Sequence, residues 1–143
     1  MKRILPLLLA LVIILSFAGC QQSASAMDAL RGRLQQMDVQ YTEYMGELEM
    51  DCLEAYGFAL VNDKEGEHLA LLVYANAEDA QVVADSLAPD GSVTDGNTTV
   101  GYALCHYYLA GPFLLRYTGS SSAIDALLTE FFGEQVAGTP FSE

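Results

Sequence analysis

The chain has no tryptophan, only two histidines, and six basic residues against nineteen acidic ones. Each scarcity removes a class of function. Residues 1–19 hold two of the six bases and none of the acids, so the remainder carries 4 − 19 = −15. Its four bases, Arg31, Arg33, Lys64 and Arg116, form no patch. That excludes nucleic acid as a partner, and attraction to anionic lipid headgroups with it. There is no GxSxG elbow, no HExxH helix and no CxxC pair. The turn-rich DGSVTDGN at 90–97 has glycines but neither a Walker ending nor a G-x-G-x-x-G. The sequence implies no cofactor. Without Trp, and with scattered tyrosines, it offers no dedicated sugar platform. The acidity itself serves solubility.

Against these absences stands one long apolar run. Lys2 and Arg3 precede Ile4–Phe17, 14 residues that would span about 21 Å as a helix, short of a ~30 Å hydrocarbon core. This is the pattern of a secretory h-region rather than of a permanent span. The run ends in Phe17-Ala18-Gly19-Cys20, which resembles the bacterial lipobox, with Phe17 where Leu is usual. The resemblance implies cleavage between Gly19 and Cys20 and a diacylglyceryl group on the Cys20 thiol. The expected organisation is a signal peptide over 1–19, a lipidated Cys and short polar tether over 20–26, and one α+β domain over 27–143. The expected location is the cell membrane, lipid-anchored and facing outside.

Two cysteines remain once Cys20 is assigned to lipid. Export permits a disulfide between Cys52 and Cys105, and their apolar surroundings favour two buried thiols.

Periodicity places the elements. Met27, Leu30, Leu34 and Met37 predict a helix over 27–37, with Ser25 as its cap. Val39–Tyr44 reads as a strand, and Leu48, Cys52 and Tyr56 suggest a short helix. Residues 54–62 and 68–75 read as a hairpin around the turn DKEGE, and the apolar run Leu69–Val73 predicts a central strand covered on both faces. Asn76 caps a helix striped by Ala80, Val83, Ala84 and Leu87, ended by Pro89-Asp90-Gly91. A polar loop to Thr99 leads to strands at about 100–108 and 113–118 around Ala110-Gly111-Pro112. Ser122 caps a last helix with Ile124, Leu127, Leu128 and Phe131 on one side and Gly133 past its end. Strand-then-helix recurs at 68–87 and 113–132. The fold class is α+β: two layers, a mainly antiparallel sheet with helices packed on one face.

The stretches LVYANAEDAQVVADSLAPDG at 72–91, CHYYLAGPFLLRYTG at 105–119 and FFGEQVAG at 131–138 resemble a group of small uncharacterised lipoproteins of clostridia and related Gram-positive bacteria. Val73-Tyr74, His106-Tyr107-Tyr108 and Tyr117-Thr118-Gly119 carry the likeness, with Cys105 where Pro is frequent. It implies a Gram-positive lipoprotein and no particular activity.

Candidate chemistry is thin. His106 could pair with His68 across a sheet as a metal site or a pH-sensitive pair; strand alternation puts Cys105 on the face opposite His106. A Cys–His nucleophile would need an activated thiolate. Glu43, Glu47, Glu49, Asp51 and Glu54 form one acidic cluster, and Asp63, Glu65 and Glu67 another, without an EF-hand pattern. The expectation is a non-enzymatic binding or interaction module at the envelope, with an envelope protein or small molecule as ligand. The alternative is a cell-surface enzyme or metal-dependent protein using His106 and His68.

Overall fold

The computed structural model of the chain describes residues 23–61, 66–95, 98–100 and 104–140. In order they form α1 (23–36), β1 (Gln40–Met45), β2 (Glu54–Val61), β3 (His68–Val73), α2 (Ala77–Ser86), β4 (Val93–Asp95), β5 (Thr98–Val100), β6 (Cys105–Ala110), β7 (Phe113–Thr118), α3 (Ser122–Phe132) and β8 (Ala137–Gly138). The expected signal peptide, Gly19 and Cys20 lie outside the described residues, as do Asp63, Lys64 and Glu65. The chain divides into two compact units at Asp38.

In the first unit, α1 buries Met27, Leu30 and Leu34 of the predicted stripe, whereas Met37 lies just past the helix end and is exposed. It begins earlier than expected. Residues 23–26, read as part of a flexible tether, are already helical, and Ser25 lies inside the helix rather than capping it. Ala24 and Ala26 are strong helix formers, which suits this stretch to a first helical turn.

The second unit, Val39–Glu143, holds a six-stranded sheet in the order β1-β2-β3-β7-β6-β8, and every neighbouring pair is antiparallel. β3 is central and buried from Leu69 to Val73, which explains its unbroken apolar run. The hairpin β6–β7 turns in two residues, with Gly111 at φ 55, the positive angle that primed hairpin turns require. The segment read as a polar loop before Thr99 holds the separate hairpin β4–β5, and β6 starts at Cys105, after Leu104 at φ 55, rather than near residue 100.

Both helices of this unit start as their caps dictate. Asn76 accepts from the Asp79 amide at 2.9 Å. Ser121, one residue before the expected Ser122, accepts from the Ile124 amide, and Gly133 ends α3 at φ 89.

The α+β class and the antiparallel sheet are as the sequence implied, but the helices are shared between both faces. Ala80 and Ala84 of α2 pack with Leu72, Leu114, Tyr107 and Cys105. On the opposite face, Tyr108 Oη donates to Asp125 of α3 at 2.5 Å, and the Ser121 amide donates to Tyr117 Oη at 2.9 Å. Register is the cause. His68 opposes Thr118 and Val73 opposes Phe113, so equal positions in β3 and β7 point to opposite faces. Connections of equal length, 74–76 and 119–121, then deliver their helices to opposite sides.

Candidate functional site

Alternation along β6 separates the residues that the sequence singled out. His106 belongs to the α3 face and is 2% exposed. Its Nε2 lies 3.0 Å from the Gly119 carbonyl and its Nδ1 3.2 Å from Gln135 Oε1, whose amide is oriented by donating to the Thr139 carbonyl. The ring stacks on Tyr117 at 5.6 Å. His68 opposes Thr118 and Thr118 opposes Cys105, which puts His68 on the α2 face. The two histidines are therefore not brought together. Among the described residues no group of three or more His, Cys, Asp or Glu side chains could hold a metal ion.

Cys52 and Cys105 are free thiols, both buried in the cluster under α2. Burial pushes both thiols up; at Cys105, contacts with Tyr107, Arg116 and Thr118 partly offset it. A nucleophilic cysteine needs the opposite shift. Neither cysteine is set up for attack.

The same face buries the guanidinium of Arg116, whose side chain is 11% exposed. Its Nη1 is 2.6 Å from Glu49 Oε1. Burial alone would lower the Arg116 pKa; the hydrogen bond and charge of Glu49 outweigh it and raise it. Tyr107 Oη and Thr118 Oγ1 are buried nearby, both facing the Cys105 thiol. Burial, with Cys105 nearby, raises the Tyr107 pKa.

Glu49 belongs to the 46–53 loop. No short helix forms there, because Met50 and Asp51 adopt φ 51 and φ 57 in succession, which ends any right-handed turn. The loop is fixed at several points. The Gly46 amide donates to the Ala55 carbonyl, the Leu53 amide to the Val73 carbonyl at 2.8 Å, and Tyr74 Oη to the Met50 carbonyl at 3.1 Å. Between this loop and α2 lies a cavity of about 340 Å³, lined by Asp51, Leu53, Tyr74, Ala75, Asp79, Val82 and Val83. Tyr74 is 5% exposed, whereas Leu53 and Val82 are 62% and 63% exposed at the rim. Burial, with Cys52, Glu49 and Asp51 nearby, raises the Tyr74 pKa and keeps its hydroxyl a donor.

This groove is preformed, mainly apolar and acidic at its rim. No family model matches the chain, and no curated protein or solved structure matches it. Sequence reasoning missed the groove. Val82 was the one available signal, an apolar residue off the predicted buried stripe of α2. Leu53, beside the acidic cluster, carried none.

Proposed function

We propose that the chain is a lipoprotein of the Gram-positive cell envelope, held on the outer face of the membrane through Cys20, and that its folded part is a non-enzymatic binding module. The export pattern in residues 1–19 and the lipobox-like Phe17–Cys20 support the anchoring half. The binding half rests on one observation: two exposed aliphatic side chains, Leu53 and Val82, flank a cavity that has a fixed tyrosine in its lining. Ligand sites combine apolar walls with a few placed polar groups, and this groove has that composition. A surface enzyme or metal protein built on His106 and His68 would need the two side chains to converge, and they project from opposite faces of the sheet.

The test is photocrosslinking in intact cells from a photoreactive amino acid at position 82, with position 61 on β2 as the control, since Val61 is comparably exposed at 60%. A discrete adduct from position 82 and none from position 61 is expected. Equal, diffuse labelling from both positions would remove the groove from the account.

A further inference from the structure

We propose that the groove takes a basic, apolar peptide segment. In this arrangement one aliphatic or aromatic side chain sits against Tyr74 between Leu53 and Val82, with flanking Lys or Arg side chains directed to Asp51 and Asp79. The inference rests on the binding-module reading and names its ligand class.

Three observations carry it. The first is charge. Of the seven lining residues two are acids, none is a base, and the others are Leu53, Tyr74, Ala75, Val82 and Val83. α2 adds exposed Glu78 and Asp85 and has no basic residue in its last turn. Arg116, the buried base of this unit, is engaged by Glu49. A cationic ligand would be attracted to this acidic rim, and an anionic one would be repelled.

The second is shape. About 340 Å³ is near the small end of ligand cavities and suits one anchoring side chain. Yet Leu53 and Val82 reach outward beyond the cavity, more than 60% exposed, so the apolar contact area continues past it. An extended segment covers such a surface, whereas a small molecule held inside does not. The third is preorganisation. The loop carrying Asp51 and Leu53 is fixed to Val73 and Tyr74 by hydrogen bonds, and Asp79 is fixed by the Asn76 side chain at 2.9 Å. Both rims exist before binding, which lowers the ordering cost of association.

The experiment uses the full chain in neutral detergent and a capped five-residue peptide, Lys-Leu-X-Leu-Lys, where X is photoreactive benzoylphenylalanine. Two relatives of the probe replace both lysines by Glu or both leucines by Ser. Adducts are mapped by mass spectrometry. The Lys-Leu peptide is expected to label 51–53 and 74–83, and raising the salt is expected to weaken labelling severalfold as the rim charges are screened. Combining Asp51→Asn with Val82→Ser is expected to weaken labelling about tenfold, equivalent to ~1.4 kcal/mol. Both positions are exposed, and Asn tolerates the positive φ of residue 51. Equal labelling of the groove by the Glu peptide would overturn the basic ligand class and leave the binding module standing. Labelling by the Ser peptide as strong as by the parent would overturn the apolar anchor. If no peptide labels the groove above background, both the inference and the groove's binding role fail.

Discussion

Arg116 Nη1 and Glu49 Oε1 meet at 2.6 Å, joining a strand in the middle of the sheet to a loop without regular structure. The pair holds in place the loop that forms one wall of the groove. Its loss is expected to be felt in stability and at the groove alike.

Glu49→Gln leaves the Arg116 guanidinium buried beside a neutral partner. Breaking fully buried pairs costs about 3–5 kcal/mol. Glu49 keeps 26% exposure, so a cost of about 2–3 kcal/mol is expected. Replacing both partners, Arg116→Met with Glu49→Leu, is expected to cost less than the Glu49 change alone, because no charge is left stranded. Urea midpoints of the three variants measure this.

Tyr107→Phe is expected to change stability by less than about 1 kcal/mol, since the buried hydroxyl it removes faces only the weakly bonding Cys105 thiol and the Arg116 guanidinium that Glu49 already engages. Tyr108→Phe serves as the contrast. Its hydroxyl donates to Asp125 at 2.5 Å, and its loss is expected to cost about 1–2 kcal/mol. Thermal unfolding of the two variants separates them.

Alkaline pH is expected to unfold the protein. Burial raises the pKa of Tyr74, Tyr107, Tyr108 and Tyr117, pushing Tyr117 up to about 12 from 10.0. A group that holds its proton more tightly when folded contributes no pH dependence below its unfolded pKa. Above it, the unfolded state has fewer protons bound, and stability falls by about 1.4 kcal/mol per pH unit per group until the folded pKa is passed. For Tyr117 the window is about pH 10 to 12; the raised thiols begin to contribute near 9.0. Tyrosinate absorbance of these four side chains should rise together with unfolding, and not ahead of it.

Local rules made much of this fold legible. Asn76 announced α2, Gly133 closed α3, and the unbroken apolar run from Leu69 to Val73 marked the central strand. Residues 23–26 escaped because a small polar stretch suits a tether as well as a first helical turn. The placement of helices on both faces escaped because it depends on the β3–β7 register, which no single segment encodes. The site was less legible still. The Arg116–Glu49 pair joins residues far apart in the chain, and Glu49 in sequence is one acid among five. The left-handed pair Met50-Asp51 has no glycine or asparagine to announce it. His106 drew attention through its neighbours Cys105, Tyr107 and Tyr108, but strand alternation and the β3–β7 and β6–β7 registers set it away from His68.

Membrane anchoring has its own test. Globomycin, which blocks the peptidase that cuts lipoprotein precursors before the lipidated cysteine, is expected to make the uncut chain accumulate, and Cys20→Ser to abolish lipid labelling. Processing that is indifferent to globomycin would contradict the assignment of Cys20.

The groove as the working surface is tested most directly by thiol accessibility in the native envelope. Cys52 and Cys105 are buried, so the Val82→Cys and Val61→Cys variants each carry one accessible thiol in the second unit. With a membrane-impermeant maleimide, both are expected to react at similar rates in the purified protein. In intact envelopes the Val82→Cys variant should react severalfold more slowly while the Val61→Cys variant keeps its rate. Equal rates for the two variants in both settings would show nothing seated over the groove and would contradict the account.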